Sequence, residues 1–169
     1  MRLYRKQIPR LTEDIVEALI ANDIVEVEPG NEDEVELDIQ AVLKEYLRAD
    51  NEIAKEANDL KAESDLSFGA AKNKIAERKG IGVGEDAVGY IIEQIIEMLF
   101  HSNFVEEIFA PDHDIRAELA PVIREHMTVQ EEMEEEAEKQ LKHVEEGTQE
   151  WDVEYRKVME RLKRTKDLE

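Results

Sequence analysis

Four histidines and 43 carboxylates are the side chains here with the means to hold a metal or move protons. Glu97 and His101 stand four residues apart, a spacing that puts both on one helical face, where a pair can begin to chelate a cation. A protein-held metal needs two or more further ligands. His113, His126 and His143 would supply them only if the fold gathered them. Neither H-E-x-x-H nor a repeated E-x-x-H occurs. A surface pair, or a polar break on a buried helix, accounts for Glu97 and His101 equally well. No cofactor is expected.

Nucleophilic chemistry has as little support. Ser64, Ser67 and Ser102 lie outside any G-x-S-x-G context. There is no cysteine, which removes disulfides, thiolate metal sites and cysteine nucleophiles, and fits a reducing compartment. Paired carboxylates could do acid–base work, but among so many no pair stands out. Gly80, Gly82 and Gly84 form a G-x-G-x-G string without the Lys-Ser/Thr of a phosphate loop. We read it as a hinge, and no catalytic residue is assigned.

The residues best suited to holding a partner lie near the C-terminus. Trp151 and Tyr155 are four apart, followed by Arg156 and Lys157. Aromatic and arginine side chains dominate binding energy at protein interfaces, although the same pair would serve as a core anchor. Upstream, Glu131, Glu132, Glu134, Glu135, Glu136 and Glu138 make an acidic face, either solvated or aimed at a basic partner. The basic residues of the last helix and the N-terminus (Arg2, Arg5, Lys6, Arg10) lack the aromatic interleaving of a single-strand binder.

The elements that must position these residues are organised by a repeat. Ile15, Glu17, Leu19, Val25 and Glu26 recur 80 residues on as Ile95, Glu97, Leu99, Val105 and Glu106. Val42, Glu45, Glu52, Glu56 and Ala57 recur as Val122, Glu125, Glu132, Glu136 and Ala137. Such a period implies one supersecondary unit used twice. Ile8, Leu11, Ile15, Val16 and Leu19 predict a first helix, with Pro9 near its start. Ile24 to Glu28 alternates and suits an extended segment before Pro29-Gly30. Asn31 and Glu34 suggest a capping box ahead of Val35, Ile39, Leu43 and Leu47. Asp50 is expected to cap a separate helix carrying Ile53, Ala57 and Leu60, and a further helix holds Phe68, Ala71 and Ile75.

In the second unit, Glu85 to Ser102 is the most apolar helix and is expected at the centre of a core shared by both units. Phe104 to Phe109 is expected as a connecting segment, and Thr128 with Glu131 as a capping box. Thr148 suits an N-cap for a final helix whose Trp151, Tyr155, Val158 and Leu162 share one side. The fold class is therefore all-α, with two tandem units of about 80 residues packed as a pseudo-symmetric helical bundle. The units span residues 1–79 and 80–169, joined by the glycine-containing junction 80–84.

Composition bounds the rest. At 169 residues with 41% hydrophobic and 38% charged residues, the chain can build a core and has a helical profile. A net charge of −21 opposes general nucleic-acid binding. No secretory leader or membrane-length apolar run is read, so a cytoplasmic protein is expected.

The stretch Glu146-Gly147-Thr148-Gln149-Glu150-Trp151-Asp152-Val153-Glu154-Tyr155-Arg156-Lys157 resembles the C-terminal signature of an uncharacterised bacterial family, domain of unknown function 507 (DUF507). The opening Met1-Arg2-Leu3 and the Ile15-Val16-x-x-Leu19 helix resemble the family's start. The likeness spans nearly the whole chain, in what looks like a longer, duplicated form. It implies a bacterial, mostly helical protein and carries no activity, cofactor or catalytic residue. The first unit departs from the signature, having Ala71 and Ile75 where Trp151 and Tyr155 stand.

The expectation is a protein of unknown function acting as a non-enzymatic interaction or scaffold protein, with an unidentified protein partner or a second copy of itself. Two alternatives are a metal-dependent or carboxylate-based enzyme with its site between the units, and an acidic nucleic-acid mimic or RNA-associated factor.

Overall fold

Ile8, Leu11, Ile15 and Leu19, spaced three or four apart, are all buried, and they turn the first helix, α1 (Ile8–Ala21), onto its neighbours. A computed structural model describes residues 1–169. After α1 come β1 (Val25–Val27), α2 (Glu32–Glu63), α3 (Phe68–Lys79), α4 (Ala87–His101) and β2 (Val105–Ile108), then α5 (Asp112–Met127), α6 (Val129–Gln140) and α7 (Gln149–Thr165). Short 3-10 turns at Arg5–Gln7 and Gly84–Asp86 lead into α1 and α4. The fold is all-α apart from one small two-stranded ribbon. No helix is long and apolar enough to cross a membrane.

The centre is a ring of four helices: α1 packs on α2 and α5, and α4 packs on α2 and α5. Its core holds 24 buried residues drawn from both halves of the chain. From α4 come Ala87, Val88, Ile91, Ile92, Ile95, Ile96 and Leu99, as its broad apolar surface requires. Glu97 and His101 are left on its outer face, both exposed.

β1 and β2 pair antiparallel across one end of the ring, with Val25 opposite Ile108, Glu26 opposite Glu107 and Val27 opposite Val105. Glu106 is the extra residue of a bulge at that irregularity. The expected connecting segment Phe104 to Phe109 is thus a strand for most of its length. It is ordered by a mate that lies far away in sequence.

Two helical arms extend the ring, each with its own small core. The C-terminal half of α2 folds against α3, burying Ile53, Ala57, Ala71, Ile75 and Ala76. The break expected at Asp50 does not form. The helix runs through it, and the Asp50 carboxylate instead takes Lys72 Nζ of α3 at 2.8 Å. With the helix continuous, no orphan backbone N–H is left there to cap, and the carboxylate serves the neighbouring helix instead.

The capping box at Thr128 is likewise absent. Thr128 has helical φ and ψ, and its hydroxyl donates back to the Arg124 carbonyl at 3.0 Å. Backbone hydrogen bonds pass through it from α5 into α6. At Asn31 the side chain makes no cap and points to Glu28 instead, 3.4 Å away.

The glycines between α3 and α4 have backbone reasons. Gly80 ends α3 in the left-handed region at φ +69°, its N–H reaching the Ala76 and Glu77 carbonyls. At Gly82 a Cβ would meet the Asp86 carbonyl oxygen at 2.5 Å.

Candidate functional site

The second arm is where the sequence-selected partner residues meet. Thr148 Oγ1 accepts a hydrogen bond from Trp151 N at 3.2 Å and starts α7. The spacing of Trp151, Tyr155, Val158 and Leu162 then lays one stripe against Met133, Ala137 and Leu141. Within that stripe the rings of Trp151 and Tyr155 stack with centroids 4.7 Å apart and planes 16° from parallel. Both rings are only half-buried. The pair is neither sealed in the core nor free in solvent.

Clefts flank the pair on two sides. One, of about 480 Å³, is lined by Trp151, Glu135, Glu138, Lys139 and Lys142. The other, of about 460 Å³, is lined by Tyr155, Arg156, Asp152, Gln130, Glu134 and Lys163. Burial raises the Tyr155 pKa above the ordinary phenol value, and the carboxylates of Glu134 and Glu138 add to the shift. Its hydroxyl stays protonated and can donate a hydrogen bond. Arg156 is exposed at the cleft beside it, while Lys157 turns to Glu154 at 3.2 Å.

The acidic face of α6 is partly neutralised from within the chain. Glu131 takes the Met1 ammonium, Glu132 meets Lys166 at 3.8 Å, and Glu135 meets Lys139 at 3.1 Å. The N-terminus straps the arm down. The Tyr4 hydroxyl donates to Gln130, and Lys6 pairs with Asp167 at 3.0 Å. Arg2 lies 5.0 Å over the Tyr4 ring. Gln7, buried between these segments, accepts from Tyr4 N at 2.9 Å and donates to the His126 carbonyl at 2.8 Å.

The first arm has a different surface at the matching positions. Ala71 and Ile75 are 0% and 2% exposed, sealed by α2. The aromatic pair therefore gives the second arm an amphipathic ridge that the first arm lacks.

The other sequence candidates do not converge. His101 Nδ1 lies 2.8 Å from the Glu97 backbone carbonyl, so its contact is with its own helix and not with the Glu97 carboxylate. His113 sits beside Asp114 at the surface, and His126 Nε2 meets Asp14 at 2.8 Å between α5 and α1. No three His, Asp or Glu side chains are arranged to hold a metal ion.

Sequence reasoning missed one groove. Between α2 and α4 a cavity of about 400 Å³ is lined by Tyr46, Tyr90, Val42, Ile81 and Met98, with polar Asp38 and Gln94. The two tyrosine rings are 6.1 Å apart. Burial, followed by the charge of Asp50, raises the Tyr46 pKa. The groove is not visible in the sequence because it exists only once α4 crosses α2.

The chain belongs to the family described as Protein of unknown function (DUF507), which matches residues 1–168. That description assigns no activity. No curated protein matches the chain.

Proposed function

We propose that the protein is a non-enzymatic interaction or scaffold protein of the bacterial cytosol that holds a protein partner on its α6–α7 arm. The observation that carries this reading is the half-covered Trp151–Tyr155 stack, set between two clefts and beside Arg156. Stacked aromatics with one face open, ringed by charged side chains, have the composition of a binding hot spot. The ring of four helices is the platform, and the arm is the reader.

The two-unit organisation belongs to the same proposal. The element order of the first half returns in the second at an offset of about 80 residues, α2 corresponding to α5 with α6, and α3 to α7. In this reading the first arm kept a packing role and the second acquired the recognition surface. The absence of cysteine fits a reducing compartment.

The test is affinity capture of the tagged protein from its own lysate at low salt, beside a Trp151→Ala, Tyr155→Ala variant with verified helicity. A stoichiometric partner held by the wild type and lost in the variant is expected. Loss of two hot-spot rings weakens binding by more than about 100-fold. Equal capture by both proteins, or recovery of the wild type alone, would overturn the reading.

A further inference from the structure

We infer that the groove between the N-terminal turn and α2 binds a compact oligophosphate, two or three linked phosphate groups carried by a nucleotide or by an inorganic chain. The groove encloses about 380 Å³. Arg5, Lys44, Arg48 and Lys55 line it with the carboxylate of Glu52, and Glu45 lies beside Arg48. In a chain of net charge −21 this local excess of cations is the departure that calls for an explanation.

Three of the four cations are available. Arg5, Lys44 and Lys55 are exposed and stand in no ion pair, whereas much of the remaining Lys and Arg is matched with nearby carboxylates. Arg48 is fixed in place from both sides. It donates to Glu45 at 3.0 and 2.7 Å and to Glu52 at 2.7 Å. A fixed guanidinium with mobile ammonium groups around it suits tetrahedral, multiply charged oxygens.

Spacing sets the size of the ligand. Lys44, Arg48, Asn51 and Lys55 follow at four, three and four residues and so form one stripe of α2. The stripe is about 16 Å long at the helical rise. Arg5 faces it from the 3-10 turn, and Leu47 forms a buried floor. The lysines at the two ends have stems long enough to bend toward the centre.

A single phosphate would leave most of these cations unused. A long nucleic acid would run past them onto a surface whose net charge repels it. Linked phosphates of short length satisfy the cluster without that penalty.

Titration calorimetry of the intact protein at about 50 mM salt tests this, with sodium tripolyphosphate, adenosine triphosphate, orthophosphate and a short single-stranded RNA as titrants. One-to-one binding of tripolyphosphate is expected, at least about tenfold tighter than orthophosphate. An Arg5→Gln, Lys44→Gln variant should lose about tenfold or more, and a Lys61→Gln, Lys74→Gln variant should lose nothing. Tighter binding of adenosine triphosphate than of tripolyphosphate assigns the phosphates to a nucleotide, and equal binding assigns them to an inorganic chain. No saturable binding, equal losses in both variants, or RNA binding tighter than tripolyphosphate would overturn the inference.

Discussion

At the bulge of the ribbon the Glu106 pKa is raised above the ordinary carboxylate value, chiefly by proton sharing with the Glu28 carboxyl, with burial and the charges of Glu28 and Glu26 adding to it. The native ribbon holds this proton more tightly than the unfolded chain does. Its stabilising contribution is therefore complete below the unfolded pKa and is lost as pH rises through the higher folded value. Near neutral pH the ionised pair repels. Glu106→Gln keeps a donor and removes the charge, so its thermal midpoint should rise at pH 7. The difference should shrink toward zero near pH 4, where the wild-type carboxyls regain protons. An unchanged midpoint difference across that range would show that the shared proton is not what couples these residues. Trp151 and Tyr155 make the complementary point at this scale. Their types and spacing were readable from the sequence. Their half-exposure was not, because it depends on how far the α6 side chains Ala137 and Met133 let the rings sink.

Among the elements, α7 was the most legible and α2 the least. Thr148 caps α7 as its sequence context predicts, and the four-three-four apolar spacing names its buried face. Thr148→Ala should cost about 1 kcal/mol, because one orphan N–H at the helix start loses its acceptor. Hydrogen exchange should show the largest acceleration in the first turn of α7, beyond that in α4. Equal acceleration in α4 would mean that the arm and the ring open together. In α2, Asp50 looked like a cap because a carboxylate before an apolar run is a common helix start. The Lys72 ammonium, brought in by α3, settles its role differently. Of the two strands, β1 was legible as an extended segment at Ile24 to Glu28, while β2 and the pairing of the two were not. Each is only three or four residues long, and each is ordered by the other across most of the chain.

For the whole molecule, the ring of four helices makes the two halves interdependent. α1 packs on α5 as well as on α2, and α2 on α4 as well as on α1, so the central core is shared by the two halves. Ile95→Ala removes a side chain that is 0% exposed and should cost about 2–5 kcal/mol. Urea unfolding should remain a single transition reported alike by Trp151 fluorescence and by far-ultraviolet dichroism. Two separated transitions would show that the arm and the ring fold independently. A fragment of residues 1–79 should aggregate through the exposed faces of α1 and α2. A monomeric fragment with dispersed amide resonances would contradict the shared core. The charge pattern also belongs to this scale. The total was readable from composition, but the separation of an unpaired basic groove at Arg5 and Lys44 from the acidic α6 face was not. That separation comes from the N-terminal turn lying along α2, a contact between segments with no sequence proximity.

The reading of the α6–α7 arm as the recognition element is tested most directly by a photo-crosslinking residue placed in living cells. Asp152 is exposed and borders the cleft at Tyr155, while Leu37 is 57% exposed on α2 and serves as the control position. The account predicts one discrete crosslinked protein from position 152, none from position 37, and loss of the product when Tyr155→Ala is added. The same products from both positions, or a product from 152 that survives Tyr155→Ala, would contradict it.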